Sequence, residues 1–211
     1  MPAPVRTPVV QAQVLPAPVV IPKLPIIPQA QNSPENDTLW QKASSITDFY
    51  NALQNHSIYQ KPTRTLSFTT PKNTNPNAPY LLIFHSPQEL ASEATSLLQR
   101  LFKKLEIDLS TCSMSFFIKC NSNAMPREKK VLKEMLQKEV ALLNPKKIIF
   151  FRETPKTESE DTKIDSAPIT FAGKEALILY SLTEMHPSKE KMIETFSNFS
   201  AWIQENITSR T

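Results

Sequence analysis

Few residues of this chain that could do chemistry fall close together. It has three histidines, two cysteines and one glycine in 211 residues. The densest polar group is His85-Ser86-Pro87-Gln88-Glu89, at the end of the apolar run Tyr80–Phe84. Imidazole and carboxylate are the usual general acid and base, so His85 is the best polar candidate and Glu89 the next. The plainer reading is that Ser86 caps a helix, Pro87 takes its first position, Glu89 completes a capping box, and His85 is a surface histidine beside the cap. Cys112 and Cys120 make neither a disulfide framework nor a four-ligand metal site, so no metal and no cofactor are expected. Cys120 reads as a small buried hydrophobe. The lone glycine, Gly173, excludes glycine-rich phosphate loops, dinucleotide fingerprints and nucleophile elbows.

The charge is mildly basic, formally +4. Between Lys119 and Lys147 there are eight basic residues against three acidic ones, with Lys103 and Lys104 nearby if the helices are neighbours. Lys119, Arg127, Lys129, Lys130 and Lys133 are the candidate DNA-facing set, since a phosphate backbone is drawn to such a patch. The alternative is a solvated helix face with pairs such as Glu134–Lys138.

The elements that must position these residues alternate. Tyr80–Phe84 reads as a buried strand between Pro-Asn-Ala-Pro and a helix running to Leu105, whose Leu90, Ala94, Leu97, Leu98, Leu101, Phe102 and Leu105 share one face. Strands are predicted at Ser113–Lys119, Lys146–Phe151, Ile169–Phe171 and Ala176–Leu182, with a brief further one at Thr65–Thr69. Helices are predicted at Thr38–Gln54, from Pro126 to Leu143, and from Ser188 onward with Met192, Ile193, Phe196, Phe199, Trp202 and Ile203 inward. The charged stretch Glu153–Ser166 reads as an exposed loop. Alternation of strand and helix predicts an α/β fold, a three-layer sandwich around a mainly parallel sheet. Ligands of such folds sit where a strand's carboxyl end meets the next helix, which here is the His85–Glu89 corner.

Residues 1–36 hold nine of the nineteen prolines and read as a disordered leader, leaving 37–211 for the folded domain. The plainer reading is a spacer, but the leader's aliphatic residues Val19, Val20, Ile21, Leu24, Ile26 and Ile27 are numerous for an inert linker, which keeps docking to a partner open. No secretory signal or membrane helix is read, and a reduced, cytoplasmic setting is expected.

Five phrases in order resemble the iron–sulfur (family 4) uracil-DNA glycosylases, over about three quarters of the chain: ITDFYNALQNHSIYQKPTRTLSF, NPNAPYLLIF, ATSLLQRLFKKLEID, SFFIKC and EMLQKEVALLNPKKIIFF. The resemblance implies a uracil-DNA glycosylase-like α/β domain. It also exposes departures. The family's Gly-Glu-Ala-Pro-Gly motif falls on Phe84-His85-Ser86-Pro87-Gln88, so His85 stands where the water-positioning acid would be. Phe116 stands where an asparagine reads uracil. Of four cluster cysteines only Cys120 is present, with Ser57 and Leu132 at or near two other positions, and one thiolate cannot hold a cluster. His186-Pro187-Ser188 is similar to the family's final His-Pro-Ser, although an ungapped pairing puts Leu179 at the catalytic histidine. YLLIFHSPQELASEATSLLQRLF also resembles the psi subunit of the bacterial DNA polymerase III clamp loader, which is non-catalytic and attaches through an extended N-terminal segment.

What the resemblance implies is a catalytically inactive accessory protein of DNA replication or repair, binding replication or repair proteins through the leader or the domain surface, with DNA as a further partner and no membrane. The alternative it leaves open is a working uracil-DNA glycosylase with a remodelled pocket built from His85, Glu89 and His186.

Overall fold

The computed structural model describes residues 35–60, 68–90, 92–120, 128–153 and 167–208. The chain divides into two units, Met1–Ala30 and Gln31–Thr211, and all described residues belong to the second. Most of the proline-rich leader, Arg127, most of the charged stretch 153–166 and most of the strand expected at 65–69 lie outside the described residues. Of that last strand Phe68 and Thr69 are described: Phe68 is bridged to Cys120, and the Thr69 amide donates to the Lys119 carbonyl at 2.9 Å.

Five strands form one sheet: β1 (Tyr80–Phe84), β2 (Ser113–Phe116), β3 (Lys147–Arg152), β4 (Ile169–Phe171) and β5 (Lys174–Tyr180). Their order is β2-β1-β3-β5-β4. Strands β2, β1, β3 and β5 are parallel, and β4 runs antiparallel along the edge. The β4–β5 turn uses the only glycine. Ala172 and Gly173 both have positive φ, 49° and 74°, as a tight two-residue hairpin turn requires.

Helices pack on both faces of the sheet and bury most residues of β1, β2, β3 and β5, while the edge strand β4 stays largely exposed. Leu82, Phe84, Ile149, Phe151, Leu177 and Leu179 point to one side, where they meet α3 (Ser92–Lys104), α5 (Leu182–Met185) and α6 (Lys189–Thr208). The alternate residues Leu81, Ile83, Ile148 and Ala176 point to the other side and meet α4 (Lys129–Leu143). A third cluster joins α1 (Leu39–Lys42) and α2 (Ile46–Gln54) to α4 and the chain just beyond β2. The α/β sandwich expected from the alternation is therefore present.

Local differences have local causes. The helix expected over 38–54 is two helices, because the Ser45 hydroxyl accepts from the Asp48 amide and restarts the chain. The helix expected directly after β1 begins as a 3-10 turn, Pro87–Leu90, and becomes α-helical only at Ser92. The short α5 was not expected; Ser181 caps it through the Glu184 amide. Ile193, expected inward, is 53% exposed. Among the described residues no helix is long and apolar enough to cross a membrane.

Candidate functional site

The strand order sets where a ligand could enter. From β1 the chain moves to β2 on one side, and β3 lies on the other, so the β1/β3 boundary is the point where the winding direction reverses. Crevices of doubly wound sheets open there, beyond the carboxyl ends of the strands. Here those ends are Phe84-His85 and Phe151-Arg152, and the two faces of the sheet treat the boundary differently.

On the α3 and α6 face the boundary is plugged. Phe84 stacks on Phe151 with ring centroids 4.9 Å apart and planes 4° apart. Phe116 tilts against Phe84 at 6.4 Å. All three rings are buried. Phe116, at the position where the resemblance places a base-reading asparagine, is thus part of the core. Leu179, at the catalytic histidine of the ungapped pairing, is buried in the same cluster.

Glu89 lies in the 3-10 turn Pro87–Leu90 that follows β1. It is only 4% exposed, and neither carboxylate oxygen makes a hydrogen bond of normal geometry to a described residue. Burial pushes its pKa up to about 7; weak help from the His85 backbone amide is offset in part by Glu153 and Glu184. The expected capping box does not form. The Glu89 amide turns back to the Ser86 carbonyl at 3.2 Å, and the carboxylate goes inward. His186 does not approach it: that imidazole is exposed and sits 3.5 Å from Glu93 of α3. His85 is half-buried and faces Phe117, ring centroids 6.4 Å apart. The three candidate catalytic residues therefore do not converge.

On the α4 face the described residues leave the same boundary open. A cleft of about 440 Å³ is floored by Ile83, Phe150, Ile178, Phe171 and Leu136 and walled by Phe117. Such a volume falls in the range of small-ligand sites. His85 and Arg152 line it from the strand ends, and Lys129 and Lys133 from the first turns of α4. Lys129, Lys133 and Arg152 are exposed, and none forms an ion pair with a described carboxylate. No side chain among the described lining residues is acidic. The first turn of α4 also lacks an acid, and its N-cap Glu128 makes no side-chain cap, so the positive end of the helix dipole adds to the lysines.

Lys119 is a correction to the basic patch. It is 2% exposed, and its ammonium donates to Glu139 Oε2 at 2.6 Å, the Phe116 carbonyl at 2.7 Å and Ser115 Oγ at 3.1 Å. Ser115 Oγ and the Tyr50 hydroxyl both donate to Glu139 Oε1. Burial, followed by the neighbouring carboxylate, pushes the Tyr50 phenol pKa upward. A lysine enclosed this way cannot meet phosphate. Lys129 and Lys133 sit on the cleft rim, Lys130 is exposed outside it, and Arg127 lies outside the described residues.

No protein-family model matches this chain, and comparison with curated proteins finds no match. The functional reading therefore rests on residues and geometry. Sequence reasoning found His85, Lys129 and Lys133 but missed their meeting with Arg152, Phe117, Phe150 and Phe171. One signal was available. Phe150 and Phe151 are adjacent in a strand, so one ring must serve each face. Among the described residues no cluster of three metal-ligating side chains occurs.

Proposed function

We propose that this chain is a non-enzymatic accessory protein of DNA replication or repair, built on a uracil-DNA glycosylase-like α/β frame and acting by binding. The observation that carries the absence of catalysis is the Phe84–Phe151 stack, closed by Phe116, at the corner where the resemblance would put the base pocket. Excising a base requires a flipped base in a pocket, a group that positions water and a donor for the leaving base. Here the rings occupy the space, Glu89 is sealed from solvent, and His85 and His186 face different surroundings. The order of sequence phrases and the mostly parallel sheet support the ancestry. The open basic cleft on the α4 face supports binding.

One observation favours the competing reading of an active glycosylase. A carboxyl with a pKa of about 7 is suited to general acid catalysis. Incubation with uracil-containing single-stranded DNA separates the two. The expected result is no abasic sites. Abasic sites that disappear in His85→Ala or His186→Ala would overturn the proposal.

A further inference from the structure

We infer that the α4-face cleft is a docking site for an acidic peptide segment carrying one bulky apolar side chain. This deepens the binding reading above by naming the partner's chemistry. The cleft's shape and charge complement such a segment. The floor is apolar, built from Ile83, Leu136, Phe150, Phe171 and Ile178, and the rim carries Lys129, Lys133 and Arg152 with no acidic side chain among the described lining residues. An occupant must fill the floor with hydrocarbon and bring negative charge to the rim. Ile169, 40% exposed at the edge strand, extends the apolar surface to the mouth.

A nucleobase fits the same cleft less well. Apart from His85, no side chain among the described lining residues can accept a hydrogen bond. A base pushed onto this floor would lose the water bound to its exocyclic groups without replacement. Binders of single-stranded nucleic acid also track the backbone along an extended cationic groove. The lysine that would lengthen the stripe toward β2, Lys119, is locked inside the domain by Glu139. A peptide needs less: one aromatic or aliphatic side chain for the floor and carboxylates for the three cations that line the cleft. Charge-assisted hydrogen bonds from Arg and Lys then fix its position.

Fluorescence anisotropy on the full chain tests this, with a labelled peptide that has a central phenylalanine flanked by aspartates. Saturable binding that weakens as salt rises is expected. Replacing the phenylalanine by serine, or the aspartates by asparagine, should weaken it about tenfold or more. Lys129→Glu with Lys133→Glu should abolish it, and Ile169→Asp should weaken it by a similar factor, both with an unchanged circular dichroism spectrum. If the doubly reversed chain does not fold, Arg152→Gln carries the same test at an exposed side chain. No binding by the unmodified chain would overturn the inference, as would binding indifferent to these changes. Tighter binding of labelled oligothymidylate in the same cleft, lost with the same variants, would replace the peptide by nucleic acid. Abasic-site formation is read separately, so glycosylase activity would sink the non-enzymatic reading while leaving the peptide result to stand alone.

Discussion

Replacing Glu89 by glutamine should stabilise the protein at neutral and alkaline pH and remove a specific part of its pH dependence. The carboxyl is 4% exposed and unpartnered among the described residues, and burial holds its pKa at about 7 against an ordinary value of 4.5. The folded chain therefore keeps a proton that the unfolded chain releases between those two pH values. Stability falls as pH rises wherever the native state binds more protons. At about 1.4 kcal/mol per unit, the loss amounts to roughly 3 kcal/mol, complete above about pH 7 and absent below the unfolded value. Glutamine has no charge to bury but keeps an amide to satisfy, so the net gain near pH 8 should be about 1–2 kcal/mol. Urea unfolding at several pH values reads this directly. The neighbours that share the field, Glu153 and Glu184, are the same in both proteins, so the difference curve isolates position 89. Parallel stability curves for the two proteins from acid to mildly alkaline pH would refute the argument.

The buried ion pair gives the opposite sign. Lys119→Met strands Glu139 in the core and should cost about 3–5 kcal/mol in urea unfolding, with Lys119→Met combined with Glu139→Met recovering much of it. Gly173→Ala should cost about 1 kcal/mol through backbone strain alone, because φ is +74° and nothing lies within 4 Å of an added Cβ. Both cysteines are buried and burial pushes the Cys112 thiol up to about 11, so a disulfide reagent should titrate neither at pH 8 until denaturant is added.

Much of the fold was legible because its signals are local. Tyr80–Phe84 and Ile169–Phe171 are strands as expected, and the lone glycine marks the hairpin between β4 and β5. Ser188 caps α6 through the Lys191 amide. Short elements escaped because periodicity needs length: α5 spans four residues and announces itself only through Ser181 and Glu184. The Ser45–Asp48 cap was equally readable, yet apolar spacing on both sides of it made one helix look continuous.

The site was less legible because charge patterning ignores the third dimension. Lys119 and Lys129 look alike in a run of basic residues, but one ends inside the domain and the other at a cleft. The clue lay in the partner. Glu139 falls on the inward stripe of α4 with Leu132, Met135, Leu136, Val140 and Leu143, and a carboxylate at such a position requires donors. Tyr50 of α2, Ser115 of β2 and Lys119 beyond it supply them. That same demand removes one cation from the surface and leaves Lys129, Lys133 and Arg152 as a separate group, set over hydrocarbon instead of along a strip. A glutamate that folds the chain thus also shapes what its outer surface can bind, by deciding which lysine stays in water.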